Sequence, residues 1–279
     1  MQTAILGLLA ETFIHPGAGS TGGAIDLPVA REAATGYPYI PGSSLKGALR
    51  DRAEQTGGWD DNQLKKVFGQ QESAGGVLVS DARLLLLPVR SLSGPYLWAT
   101  CPLLLERLGR DFRRSEIADL SPPELPTKPG KGQILTAAAA SGARVYLEER
   151  SFTVAAAPGE GLVETLRKLI HHPDTGNRLN QQLAILSDED FAWFASYGLA
   201  VQARNVLNEN KTSNNLWYEE TLPPDTLMYA LLAERSGGAV GSVAGLFATR
   251  PYLQAGGNET VGQGWFAVQV LGTPAEAQR

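Results

Sequence analysis

The sequence predicts an α+β sandwich, with helices packed against a mostly antiparallel sheet and interrupted by long insertions. Three observations carry that reading. Strand, helix and strand follow one another twice along the chain. Leu45, Ala48, Leu49 and Ala53 recur with helical spacing, whereas residues 76–88 include a continuous apolar run of the kind buried on both faces of a sheet. No segment repeats, so a solenoid is excluded.

Residues 3–14 read as the first strand. The stretch from Ala4 to Ala10 is apolar but lacks a positive flank and runs straight into Glu11, unlike a signal peptide. A loop with His15, Gly17, Gly19, Gly22, Gly23 and Asp26 follows. A short extended piece at 37–40 leads into a helix over 44–55, entered through the Pro41-Gly42 turn, capped by Ser43 or Ser44 and ended by Gly57-Gly58. A helix over 60–68 turns Leu64, Val67 and Phe68 inward and stops at Gly69. Residues 76–88 and 95–100 read as strands, and Pro102 opens a helix to about Arg110. Prolines and glycines make 120–132 an exposed insertion. Strands follow at 133–138 and 144–156, a helix at 160–171 and a strand at 182–186. Ser187 with Asp190 forms a capping box for a helix ending at Gly198. Extended segments at 199–207, 215–221 and 226–233, a small helix at 239–248 and strands near 251–255 and 265–271 complete the chain.

With 279 residues, 43% of them hydrophobic and 19% charged, the chain can bury a real core as a globular protein. Lys and Arg total 24 against 29 Asp and Glu, a formal net charge of −5. That argues against a wholly basic nucleic-acid binder, though one positive groove on an acidic body would suffice. Cys101 is the single cysteine, so an intramolecular disulfide and a thiolate metal cluster are excluded, which fits a reducing cytoplasm. No apolar run approaches membrane-spanning length, so no membrane partner is expected.

The turn into the 44–55 helix looks like an anion site. Free backbone N–H groups, Ser43, Ser44, Lys46 and Arg50 could converge there on a phosphate, with Gly47 between them. An ordinary capped helix with solvated cations would look the same. The Gly-Lys-[Ser/Thr] order of a P-loop is absent, as is a Gly-x-Ser-x-Gly elbow. In the loop before it, glycines let backbone approach a ligand closely. Asp26 sits in the apolar, rigid tetrapeptide Ile25-Asp-Leu-Pro28, as a functional carboxylate or a plain turn former. His15 suits general acid–base work or a structural place before Pro16. His171-His172 lack partners at zinc-ligand spacing. Residues 208–220, with Lys211 and several amides before Trp217 and Tyr218, suit a hairpin reaching across a strand of bases, or a long loop with its aromatics tucked into the sheet. Gly256, Gly257, Asn258, Gly262 and Gly264 form a second glycine-rich turn that could grip phosphate or simply connect two strands.

These blocks, in this order, resemble the RAMP superfamily of CRISPR effector proteins, and more closely the backbone-subunit family of the type III-B (Cmr) RNA-targeting complex. The matching stretches are His15-Pro-Gly-Ala-Gly19, Gly23-Ala-Ile-Asp-Leu-Pro28, Arg31-Glu32, Gly36 to Arg50, Ser80-Asp-Ala-Arg83, Pro88-Val-Arg-Ser91, Asn214 to Glu220 and Gly256 to Gly264. They span nearly the whole chain.

The resemblance implies one domain over 1–279, a modified ferredoxin-like (RRM-type) core with insertions at about 60–130 and a thumb-like hairpin at about 208–220. It implies copies stacked with other Cmr subunits along a CRISPR guide RNA, to which a complementary target RNA pairs. The family's Asp at position 26 supports metal-dependent cutting of that target, while His15, Tyr218 and Glu219 are weaker carry-overs. A divalent ion, magnesium or manganese, would arrive with the RNA. Gly17, Gly19, Arg31, Ser43, Ser44, Lys46, Gly47, Arg50, Lys211 and the second glycine turn would hold RNA backbone. Two other readings stay open: a non-catalytic RNA-binding filament subunit, and a metal-independent endoribonuclease that processes guides through His15. A small-molecule phosphate enzyme built on the Ser43 turn is a third.

Overall fold

The computed structural model describes residues 1–20, 23–92, 94–118, 120–125 and 127–272. Gly22 of the first glycine loop and Pro126 of the predicted insertion lie outside them.

Strand β1 (Thr3–Ala10) is buried along its whole length, as its uninterrupted apolar run requires. The short β2 (Tyr39–Ile40) precedes helix α1 (Gly42–Gln55), which buries Leu45, Leu49 and Ala53. Helix α2 (Asp61–Phe68) is capped by the Asp60 side chain and stops at Gly69, whose φ of 87° favours glycine. The two-residue strands β3 (Gly69–Gln70) and β4 (Ser73–Ala74) pair with each other.

The predicted strand at 76–88 is two strands, β5 (Val77–Val79) and β6 (Ala82–Ser91). They separate at Ser80-Asp81, where the Asp81 side chain accepts from Gly42 N–H (2.7 Å) and Ser80 Oγ accepts from Leu231 N–H (2.8 Å). After β7 (Gly94–Thr100), helix α3 (Pro102–Ser115) runs five residues beyond the predicted end at Arg110. Tertiary contacts sustain that extra turn. Phe112 enters the core, and buried Asp111 takes Arg83, Arg114 and the Tyr229 hydroxyl.

Next come β8 (Gln133–Thr136), β9 (Arg144–Leu147) and β10 (Arg150–Ala156). The predicted strand at 144–156 is thus a hairpin, folded where Glu148 adopts φ 50°. Helix α4 (Glu160–Arg167) ends earlier than predicted, and a helix absent from the sequence reading, α5 (Pro173–Gln182), follows. Pro173 cannot continue one helix but can open the next. The remaining elements are β11 (Leu183–Leu186), α6 (Asp188–Tyr197), β12 (Ala200–Leu207), β13 (Ser213–Thr221), β14 (Leu227–Glu234), α7 (Ala239–Gly245), β15 (Tyr252–Gln254) and β16 (Trp265–Leu271). Ser187 caps α6 by accepting from Asp190 N–H (3.1 Å), as the capping box requires.

Ten strands run in the order β15-β16-β1-β14-β6-β7-β11-β8-β10-β9, with β2 added to β6 and β5 to β14. Within it, β16-β1-β14-β6 is antiparallel throughout. The α+β class holds, but the sheet is not simply an open layer. Ser91 of β6 also pairs with Leu147 of β9, so β6, β7, β11, β8, β10 and β9 close into a barrel-like ring of six strands. Strand β6 serves both parts because its first half pairs with β14 and its second half with β7.

The two-residue period of β1 divides the core between two faces. Leu6 and Leu8 join Leu45 and Leu49 of α1 and Val240 of α7. Ile5 and Leu9 meet Leu105 and Phe112 of α3 and Leu162 and Leu166 of α4. β12 and β13 stand apart as a two-stranded hairpin.

Candidate functional site

The first glycine loop is stitched to the free edge of β13. Leu27 bridges Glu219 in parallel: its N–H donates to Tyr218 O (3.1 Å), and Glu220 N–H donates to its carbonyl (3.0 Å). Pro28 carries no N–H to demand a partner of its own. Asp26 accepts from Tyr218 N–H through Oδ2 (2.8 Å). The carboxylate is therefore held at the root of the hairpin, half-buried, and one amide does not exhaust its acceptor capacity.

Behind Asp26 lie two buried glutamates. Glu220 Oε1 accepts from Arg31 Nη2 (2.6 Å), and Oε2 accepts from Val29 N–H (3.0 Å). Arg31 Nη1 also donates to Gly36 O (2.8 Å) and Ala195 O (2.6 Å). Its guanidinium thus ties the loop to the end of α6, inside the protein and not toward an RNA strand as expected. Glu219, 1% exposed, accepts from Asn258 Nδ2 at Oε1, and Oε2 lies 3.5 Å from Arg204 Nε. His15 is buried as well. Its Nδ1 lies 2.8 Å from Glu220 O, so Nδ1 carries a hydrogen in this geometry and Nε2 is the basic nitrogen. Glu219 Oε1 is 3.9 Å from that Nδ1.

The second glycine turn closes over the imidazole. Gly257 N–H donates to His15 O (2.8 Å), and a Cβ on Gly257 would sit 3.1 Å from the ring. Gly256 has φ 103°, and a Cβ there would meet His15 O at 3.0 Å. These glycines admit a histidine. Asn258 likewise points inward, spending its amide on Glu219 and Gln263, whereas the sequence reading has it gripping phosphate. Gly262 and Gly264 complete the turn with left-handed backbone.

Outside this cluster, Pro16, Gly17, Ser44, Gly47, Gly256 and Gly257 line one cleft of about 400 Å³, together with Pro41, Asp51 and Glu259. Both glycine turns and the first turns of α1 meet there. The cations do not join them. Ser44, Gly47, Ala48 and Asp51 share one side of α1, and at 100° per residue Lys46 and Arg50 lie on another. Arg50 pairs with Glu54 (2.9 Å) and donates to Gly69 O (3.2 Å). Lys46 sits beside Arg235, and burial followed by that like charge holds its pKa below the usual lysine value. The predicted serine cap is absent too. Pro41 is the N-cap, and Asp81 takes the Gly42 N–H from another part of the chain.

Sequence reading missed Arg204. Its Nε and Nη2 are buried without hydrogen-bond partners among the described residues, as is Trp217 Nε1. The two residues are paired across β12 and β13, and their strand alternation with Glu219 was the available signal. Gly19 is exposed in the first glycine loop, Lys211 is exposed at the hairpin turn and Ser43 is exposed on α1. Tyr218 is 44% exposed. Among the described residues no group of three or more His, Cys, Asp or Glu is placed to hold a metal ion. Asp26 could serve a hydrated hard cation as one oxygen ligand among several. Cys101 takes no part: burial pushes its thiol up to about 12. No helix among the described residues is long and apolar enough to cross a membrane.

Comparison with known proteins covers almost the entire chain. Residues 8–267 match the RAMP superfamily. The chain is 33% identical to the CRISPR system Cmr endoribonuclease Cmr4 of Pyrococcus furiosus over 287 aligned positions, which cover 96% of this chain and 95% of that protein. Its fold is similar to that of oligomeric Cmr4 from Pyrococcus furiosus, with a TM-score of 0.77 and 28% identity over 98% of this chain and 99% of the other. It also resembles a chain of the type III-B Cmr-beta complex bound to cognate target RNA, with a TM-score of 0.73 and coverage of 97% of each chain, where 21% identity speaks for the fold alone. A sequence match of this extent and a fold superimposing over nearly its full length place the chain in the RAMP superfamily.

Proposed function

We propose that this protein is a backbone subunit of a type III-B CRISPR effector, which carries guide RNA along its length, stacks with copies of itself and with other Cmr subunits in the cytoplasm, and cuts complementary target RNA. The kinship with the Pyrococcus furiosus endoribonuclease supports the assignment. The observation that supports it on this chain is the Asp26 carboxylate, clamped by Tyr218 N–H at the base of a projecting hairpin with acceptor capacity to spare. The order β16-β1-β14-β6, with α1 and α7 as crossovers, supports reading that strip as a ferredoxin-like core, with the residues between β6 and β14 as its insertion. The whole chain then forms one domain.

Cleavage asks little covalent chemistry of the protein. A 2′-OH aligned with the adjacent phosphorus and its leaving oxygen attacks within the RNA, and holding that alignment supplies much of the acceleration. Asp26 is placed to accept or orient the 2′-OH proton. Tyr218, exposed beside it, can stack on a displaced base. Buried Glu219 is a positioning residue that holds Asn258 and faces His15. A divalent ion, magnesium or manganese, bound only together with RNA, would neutralise phosphate charge with Asp26 as one ligand. Gly17 and Ser44 present backbone and hydroxyl donors to the strand, Gly47 leaves open space for it along α1, and Lys46 and Arg50 lend positive potential from the far side of the helix.

The test is target cutting by the assembled protein with guide RNA. Asp26→Asn should slow cutting at least about 100-fold with guide and target still bound, and a chelator should do the same. Unimpaired cutting by Asp26→Asn would leave a non-catalytic filament subunit. Chelator-resistant cutting of a repeat-containing precursor by the lone chain would favour guide processing instead.

A further inference from the structure

Helix α1 carries chemistry beyond the cleft. Residues 44, 47, 48, 51, 52 and 55 fall on one side of it at 100° per residue. The first four line the cleft, and the last three continue with Ala48 into a narrow notch completed by Arg250, Gln254 and Trp265. Ala48, Asp51 and Gln254 belong to both hollows, so the notch is the cleft's continuation toward the C-terminal end of the helix.

Two arginines face this notch. Arg52 is anchored by donating from Nη1 to Thr56 Oγ1 (2.8 Å) and from Nη2 to the carbonyls of Leu246 (3.5 Å) and Arg250 (3.4 Å). Its Nε is buried and has no hydrogen-bond partner among the described residues. The exposed Arg250 places its guanidinium over the Trp265 ring, 5.9 Å from the centroid. Burial and then the Arg250 charge hold the Arg52 pKa below its usual value. Among the described residues neither arginine has a carboxylate oxygen within 4.0 Å. Asp51 is the one carboxylate lining the notch, and its Oδ2 accepts from Gln55 Nε2 (2.6 Å). Two neighbouring guanidiniums with no carboxylate partner among the described residues concentrate positive charge at the notch.

We propose that Arg52 and Arg250 together grip one phosphodiester of the RNA strand that lies in the cleft. The notch measures about 30 Å³, room for an oxygen or two but not for a base ring. The contact is therefore to backbone and independent of sequence. The proposal rests on the reading of this chain as an RNA carrier, and it locates the cations that the cleft's own lining lacks.

The experiment titrates the full chain with two uncleavable single-stranded RNAs of unrelated sequence over a series of salt concentrations. Arg52→Gln with Arg250→Gln should weaken both RNAs about tenfold and flatten the dependence of log K on log salt by about 0.7. Arg250→Lys should retain most of the affinity. Because Arg52 also braces the end of α7, melting temperatures are compared, and Arg250→Gln alone, at an exposed position, repeats the test without that brace. Parent-like affinity and slope in both glutamine variants would overturn the proposal and leave the RNA-carrier reading standing. A loss confined to one sequence would overturn it as well. Failure of the parent chain to bind either RNA would remove both.

Discussion

The root and the tip of the β12–β13 hairpin are built from the same two strands yet face opposite surroundings. At the root, Glu219, Glu220 and Thr221 are nearly sealed from solvent, and the two glutamates are held by Asn258, Arg31 and a backbone amide. Toward the tip, Leu207 and Leu216 stand about half exposed, and at the boundary Tyr218 holds Asp26 with its N–H while its ring is 44% exposed. An isolated two-stranded ribbon is marginal in water, so the root supplies the rigidity and the tip presents surface for something else to cover. One element thus anchors Asp26 and reaches away from it.

Three substitutions bear on that division, from the largest effect to the smallest. Glu220→Ala strips the partner from Arg31 and the acceptor from Val29 N–H, so denaturant unfolding should register a loss of about 3–5 kcal/mol. A loss below about 1 kcal/mol would mean that the pair does not hold the root. Gly256→Ala forces a side chain onto left-handed backbone and against His15 O, at a cost of about 1–3 kcal/mol, with the His15 ring resonances shifted in NMR spectra. Unchanged resonances would separate the glycine turn from the histidine. Tyr218→Ala at the exposed part should alter stability by about 0.5 kcal/mol or less, yet weaken target RNA binding about tenfold if its ring stacks on a base. A large stability loss there would place the tyrosine with the root.

The legible parts of the fold were those governed by neighbours in sequence. The strand Trp265–Leu271, the Ser187–Asp190 cap and the stop at Gly69 follow from a short, nearly continuous apolar run, a side-chain acceptor three residues from its donor, and a glycine with positive φ. Ring closure was not legible, because Ser91 meets Leu147 across the fold and nothing near either residue encodes the meeting. The extra turn of α3 depends on Arg83 and Tyr229, which lie on other strands.

The site divides in the same way. Residue types and glycine spacing marked Asp26, His15 and the two glycine turns before any fold was known. They could not say that Asn258 turns inward, that Arg31 is spent on Glu220 and two carbonyls, or that Arg204 completes the cluster. Nor did they say that the Ser44 side of α1, and not the Lys46 side, lines the cleft, since that depends on which side of the helix packs against the rest of the fold.

The sequence by itself determined the α+β class and the motifs, because hydrophobic period and turn chemistry act over a few residues, and the order of those motifs carried the family resemblance. Only the tertiary structure decided which polar groups are buried and paired. His15 and Glu220 are 205 positions apart and Asp26 and Tyr218 are 192 apart, and the energy of such contacts exists only once the chain has closed around them.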